Sequence, residues 1–237
     1  MNLYVGTSGY SYPEWKGLFY PEKLPARQML RFYGEHFQAV EVNYTFRRMP
    51  TASLLEGWSR SVPADFQFVL KAPEQITHKQ RLKDVGEPLS KLLEVAGVLK
   101  DRLGPLLFQL PPNFAKDASR LRDVLALLPS TCRAAFEFRH PSWFDDEVFG
   151  LLRDRGAALC IAEAEDGLDV PFVATTDWGY VRLRRGDYDR RDLSAWVRRL
   201  RGHDWRDAFV FFKHEDQGHG PRLAKKLLDL AVSPARV

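Results

Sequence analysis

Eight short runs of the chain are rich in β-branched and aromatic residues, and most are followed by a segment whose apolar positions recur at helical spacing. The runs are LYVGT (3–7), AVEVNYT (39–45), FQFVLKA (66–72), PLLFQLP (105–111), AAFEFRH (134–140), AALCIAE (157–163), YVRLRR (180–185) and AFVFFKH (208–214). Helical spacing marks PARQMLRFYGEHF, TASLLEGWSRSV, EPLSKLLEVAGVLKDRL, DASRLRDVLALLP, DDEVFGLLRDRG, DRRDLSAWVRRLRG and GPRLAKKLLDLAV. Pro25 near the start of the first and Thr51 as N-cap of the second fit helix beginnings. Between the sixth and seventh runs, EDGLDVPFVATTDWG carries no helical pattern, so that crossover is expected to be a loop or an extra strand. Eight strands with helical crossovers in 237 residues predict one α/β domain over 1–237. The expected architecture is a TIM-type (β/α)8 barrel with an irregular connection between strands six and seven.

The alternation within the runs then says what fills the barrel. Apolar strand residues belong on the side covered by helices, so their polar neighbours point inward. This reading turns Glu41 and Asn43 inward against Val40 and Val42, and Lys71 inward against Leu70. It does the same for Gln109 beside Phe108 and Leu110, and for Glu137 and Arg139 beside Phe136 and Phe138. Arg182 and Arg184 turn inward beside Val181 and Leu183. Most of these positions lie toward the strand C-termini, where barrel active sites are built. Inward charge is costly unless paired or wetted, so its convergence from several strands predicts a polar pocket.

Composition adds limits. Hydrophobic residues make up 45% of the chain, enough for a substantial core, and no apolar run approaches the ~20 residues of a membrane span. The start, MNLYVGTSGYSY, reads as a strand rather than a signal peptide. Cys132 and Cys160 are too few to suggest a disulfide framework, and the expectation is a cytoplasmic protein with reduced thiols. Net charge is +4, and residues 180–206 alone hold nine Arg against Asp187, Asp189, Asp192 and Asp204. That segment reads either as a solvated helix face with internal ion pairs or as an anion-attracting surface.

The motifs VGTSGYSYPEW (5–15), EVNYTFRRMP (41–50), FVLKAPEQITH (68–78), LLFQLPPNF (106–114), EFRHPSW (137–143) and YVRLRRG (180–186) occur in an order that resembles the YecE-like family, domain of unknown function 72. The resemblance runs from residue 3 to about residue 228 and implies a TIM barrel, without bringing an activity with it. Relatives commonly carry Arg-x-His-Gly after strand seven, where this chain reads Arg182-Leu183-Arg184-Arg185-Gly186. They commonly carry Phe-Asn-Asn after strand eight, where it reads Phe212-Lys213-His214.

Glu137 with Arg139 and Lys71 is the strongest candidate constellation: an acid or base tuned by cations, with an arginine gripping an anion. The competing reading is an ion network that braces the barrel. Lys71 is a candidate for a Schiff base if desolvated, but an ion pair with Glu137 is the favoured reading. Glu41 completes the expected catalytic set. Arg139, Arg182, Arg184, Asn43, Gln109, Tyr10, Trp143, Lys213 and His214 form the expected substrate-binding set, with Arg182 as the main anion ligand in a wet pocket. The turn Gly218–Pro221 before the last helix suits a phosphate. No organic cofactor is implied. A divalent metal on Glu41, Asn43, Glu137, Glu163, His78, His140 or His214 is not favoured, since no close-spaced ligand motif appears. Glycoside hydrolysis is disfavoured because Glu41 and Glu137 come from strands far apart around the ring. The leading expectation is an enzyme, with hydrolases among the candidates, acting on a phosphorylated or otherwise anionic small molecule. The alternatives are a nucleic-acid-binding protein or nuclease using the 180–206 segment, and a non-catalytic ligand sensor.

Overall fold

The computed structural model describes residues 1–163, 167–213 and 218–232. Eight parallel strands run in the order β1-β8-β7-β6-β5-β4-β3-β2. They are β1 (Asn2–Thr7), β2 (Ala39–Val42), β3 (Gln67–Lys71), β4 (Leu103–Gln109), β5 (Ala134–Glu137), β6 (Ala158–Glu163), β7 (Trp178–Leu183) and β8 (Asp207–Phe212). The helices are α1 (Met29–Gly34), α2 (Tyr44–Arg47), α3 (Ala52–Arg60), α4 (Gly86–Ala96), α5 (Ala118–Leu127), α6 (Asp146–Arg155), α7 (Arg190–Arg201) and α8 (His219–Val232). Thr51, Asp117, Asp145 and Asp189 each accept a backbone N–H at the head of the helix they precede, which fixes where α3, α5, α6 and α7 start. All eight expected strands are present. Among the described residues between β6 and β7 there is no helix. Instead, the Thr175 hydroxyl donates to the Ala157 carbonyl and accepts from the Leu159 N–H, tying the irregular crossover to β6.

Two expected strands lose the last three residues of their sequence runs. The second run stops at Val42 and turns into α2, where the Thr45 hydroxyl donates to the Lys71 carbonyl at 2.6 Å. The fifth stops at Glu137, because His140 and Pro141 open a tight turn through Trp143. Arg139 is therefore a loop residue just beyond the strand, and its side chain reaches back to Glu137.

The barrel interior is graded. Its apolar layers combine Trp178, Tyr180, Phe209 and Phe211 with small Ala39, Ala135 and Ala158 from other strands. Large side chains on one side thus fill the space that small ones leave on the other. Phe108, Phe136 and Phe138 belong instead to the core between barrel and helices, as the alternation requires.

Closure between β1 and β2 follows a different rule from the other strand pairs. Their ladder reduces to a bridge between Ser8 and Glu41 and one bond from the Gly9 N–H to the Glu41 carbonyl at 2.8 Å. The Tyr33 hydroxyl of α1 supplies the missing links, accepting from the Thr7 N–H at 2.8 Å and donating to the Ala39 carbonyl at 3.1 Å. A Cβ on Gly6 would lie 2.0 Å from that carbonyl, so only glycine lets the two strands approach. Replacing Tyr33 with Phe leaves a buried donor and a buried acceptor unpaired. It should lower the unfolding free energy by about 1–3 kcal/mol in urea titrations. An unchanged midpoint would show that the seam closes without the hydroxyl.

Candidate functional site

At the C-terminal end of the barrel, the inward positions one layer above the apolar core are charged. Arg182 on β7 lies between two carboxylates: one guanidinium nitrogen meets Glu41 Oε1 at 2.7 Å and the other meets Glu137 Oε2 at 2.5 Å. Tyr180, two residues earlier on the same inward face, donates to Glu41 Oε2 at 2.6 Å. The second Glu137 oxygen receives Arg139 Nε at 3.0 Å and Arg184 at 3.4 Å. Gln109 Nε2 donates to Glu137 Oε2 at 2.9 Å, and Gln109 Oε1 accepts from Lys71 Nζ at 2.8 Å. One guanidinium thus joins strands two, five and seven, and one amide joins strands three, four and five.

Burial corrects the picture of a wet pocket around Arg182. That residue is 1% exposed, and both of its carboxylate partners are fully covered. Burial alone would raise the Glu137 carboxyl, but the Arg182, Arg139 and Arg184 guanidiniums and the Gln109 amide hold it far below the usual carboxylate range. Glu137 is therefore a fixed anion at neutral pH. Tyr180 is pushed well above its ordinary value by burial and by the Glu41 charge, so its hydroxyl remains a donor. The two glutamates are not far apart in space, since they share one guanidinium. That guanidinium fills the gap a glycosidic bond would need.

Lys71 also departs from the expected ion pair with Glu137. Both carboxylate oxygens of Glu137 are already taken by arginines and Gln109, and the amide stands between acid and amine. Among the described residues Lys71 forms no salt bridge. Its ammonium lies over the Phe46 ring at 3.9 Å, and the His78 ring meets that same ring edge-on at 4.9 Å. Burial first, then the Arg182 charge, lowers the Lys71 amine from 10.5 to about 8. His78 is lowered as well, by burial and then by Lys71 and Arg139.

The remaining expected site residues are scattered. Asn43 is half-buried at the start of α2. Tyr10 packs on Tyr33 and lines a groove of about 490 Å³ beside α3. Trp143 is fully buried against Phe138, with its indole N–H donated to the Phe114 carbonyl at 2.7 Å, so it offers no face to a ligand. Lys213 is exposed just beyond β8, while His214 lies outside the described residues. Gly218, at φ 65°, immediately precedes α8. Glu163 accepts from the Trp196 indole, and His140 caps the turn to Ser142. Among the described residues no group of three His, Cys, Asp or Glu side chains is placed to hold a metal ion. Both cysteines are free, and no described helix is long and apolar enough to cross a membrane.

Three features escaped the sequence reading. Tyr180 was legible, because it precedes Arg182 by two residues and shares its face. Ser8 pairs with Glu41 and so shares that inward side; its hydroxyl is buried without a partner among the described residues. The third is the segment after β3, where residues Gln75–Lys79 form a π-helical turn and Arg81, Leu82 and Asp84 adopt left-handed backbone angles. Such angles cost non-glycine residues about 1–3 kcal/mol each and had no marker in the sequence.

The family model described as "Protein of unknown function DUF72" matches residues 4–236. The chain belongs to the DUF72 family. It is 29% identical to the UPF0759 protein YecE of Escherichia coli over a stretch covering 60% of this chain and 50% of that one, and so spans about half of that relative's length. It is 26% identical to the UPF0759 protein YunF of Bacillus subtilis, with 91% of this chain and 79% of that one covered. A crystal structure of a DUF72 family protein from Thermotoga maritima is similar at 26% identity and a TM-score of 0.89, covering 98% of this chain and 100% of that one. The DUF72 assignment agrees with the order of motifs and with the barrel.

Replacing Arg182 with Ala strands two buried carboxylates and should destabilise the protein by about 3–5 kcal/mol in urea titrations. Stability close to the parent's would mean that water already reaches Glu41 and Glu137. Acid should act on the same network. The Glu137 carboxyl lies lower in the folded than in the unfolded chain, so its contribution is present above the ordinary carboxylate value. It is lost as pH falls below about 4, and the Glu137→Gln variant should show a shallower loss of melting temperature there.

Proposed function

We propose that the C-terminal mouth of this barrel is the active site of an enzyme acting on a small anionic molecule, with phosphorylated compounds as the leading class. The observation that carries this reading is Lys71. It is a buried amine bonded to a neutral amide, next to a carboxylate already held by three guanidiniums. A brace would be served by a direct lysine–glutamate pair. An amine that exchanges its proton near neutral pH suits acid–base work instead. In this reading Lys71 moves the proton, Arg139 grips the anion, and Glu137 and Gln109 hold both cations in place. Arg139 is suited to the grip because its side chain is 26% exposed, against 1% for Arg182. The strained segment after β3 supports the same end of the barrel, since such backbone is concentrated at functional sites.

The reading as a nucleic-acid-binding protein or nuclease draws on the arginines of 180–206, and these do not share one face. Arg182 is inside the barrel, Arg184 reaches Glu137, Arg185 pairs with Glu163 and Asp192, and Arg199 lies over Phe172 and Trp196. A continuous basic stripe is thereby weakened as the footprint for a phosphate backbone.

A thermal-shift screen of phosphorylated metabolites, inorganic phosphate and oligonucleotides tests the proposal. Anions should raise the melting temperature, because a ligand selective for the folded state stabilises it. The Arg139→Ala variant should fold and bind phosphate about 1.5–3 kcal/mol more weakly by calorimetry, the range for a hydrogen bond to a charged group. A response confined to oligonucleotides and abolished steeply by salt would overturn the small-molecule reading.

A further inference from the structure

We propose that Lys71 captures its substrate covalently, as an imine with a small aldehyde or ketone that carries a carboxylate or phosphate. This rests on the anion-pocket reading above and narrows the substrate to carbonyl compounds. The geometry has three parts. First, an amine must be able to give up its proton and present a lone pair, which a carboxylate partner would oppose. Lys71 has no such partner among the described residues, and its one hydrogen bond goes to Gln109 Oε1. The groups facing it are Glu41 from β2, Glu137 from β5 with Arg139 just beyond, Arg182 from β7, and His78 from the turn after β3. Burial and then Arg182 favour the neutral amine most, Arg139 adds to them, and the Glu41 and Glu137 charges oppose it without outweighing them.

Second, the amine is shielded from bulk water, which limits hydrolysis of an imine, since it lies on the Phe46 ring and is 8% exposed. Third, a carbonyl oxygen needs a proton donor as it becomes a hydroxyl. The Ser8 hydroxyl is buried, lacks a partner among the described residues, and is turned inward with Glu41, which also neighbours β3 through the β2–β3 ladder. Arg139, a quarter exposed at the rim, takes the anionic end of the same molecule.

The step balances without an oxidant or reductant. The neutral Lys71 amine attacks the carbonyl carbon and forms a C–N bond, while the C=O π pair moves to oxygen, and one amine proton passes to that oxygen by way of the Ser8 hydroxyl. The resulting carbinolamine gives up its hydroxyl as water, with a proton from nitrogen, and leaves the C=N bond. Hydrolysis by the reverse route frees the lysine.

The full chain, incubated with glycolaldehyde phosphate and reduced with borohydride, tests this by intact mass and peptide mapping. Labelling at Lys71 should exceed that at every other lysine by at least tenfold. It should rise with pH and level off above about 8, and should fall at least tenfold when uncharged glycolaldehyde replaces the phosphate. Lys71→Met should lose the adduct, with circular dichroism confirming its fold. The mapped parent protein carries the test if that variant does not fold. Labelling spread evenly over surface lysines overturns the imine. Phosphate affinity is measured on the same sample by calorimetry. Phosphate binding without a Lys71 adduct overturns carbonyl capture and leaves the anion pocket standing; absence of both overturns the two together.

Discussion

Two carboxylates buried on the axis of a barrel need a cation between them, and Arg182 is that cation. Uncompensated, each charge would cost several kcal/mol. Compensated by one guanidinium, they become a clamp across strands two, five and seven. The other features of the mouth follow from that clamp. Tyr180 donates to the second oxygen of Glu41, and Arg139, Arg184 and Gln109 complete the bonding of Glu137. Gln109 then has its carbonyl oxygen left for Lys71, so the amine is held by a neutral group and not by an acid. The Arg182 layer is thereby sealed, at 1% exposed, while Lys71 at 8% and Arg139 at 26% lie nearer to solvent.

The seam between β1 and β2 belongs to the same arrangement. Glu41 takes part in both the clamp and the seam: its side chain meets Arg182, its carbonyl meets Gly9, and it bridges Ser8. The close approach that Gly6 permits and Tyr33 secures therefore sets where Glu41, and through it Arg182, can stand.

Much of this was legible in the sequence because a strand has a period of two. Phe136 and Phe138 fixed the helix-facing side of strand five, and that parity alone turned Glu137 inward; the same logic found Glu41, Lys71, Gln109 and Arg182. What parity cannot supply is depth along the axis or the choice of partner. It therefore allowed Arg182 to be read as the main anion ligand ahead of Arg139, although Arg182 is sealed and Arg139 lies at the rim beyond the end of its strand. It paired Lys71 with Glu137 by charge, where hydrogen-bond capacity decided for Gln109. Trp143 was misread for a related reason: an aromatic near a strand end looks alike in sequence whether it faces the mouth or the helix layer. The left-handed residues 81, 82 and 84 are not glycines, so nothing in the sequence announced them.

The central claim is that Lys71 is an amine set apart from the buried ion network and ready to exchange its proton near neutral pH. Direct titration of Lys71 by NMR, following its side-chain carbon and nitrogen shifts in protein with labelled lysine, tests that most directly. The account predicts a midpoint near 8, lowered from the ordinary 10.5. A midpoint at or above 10.5 would mean that Lys71 is ion-paired after all, and the mouth of the barrel would then be a brace.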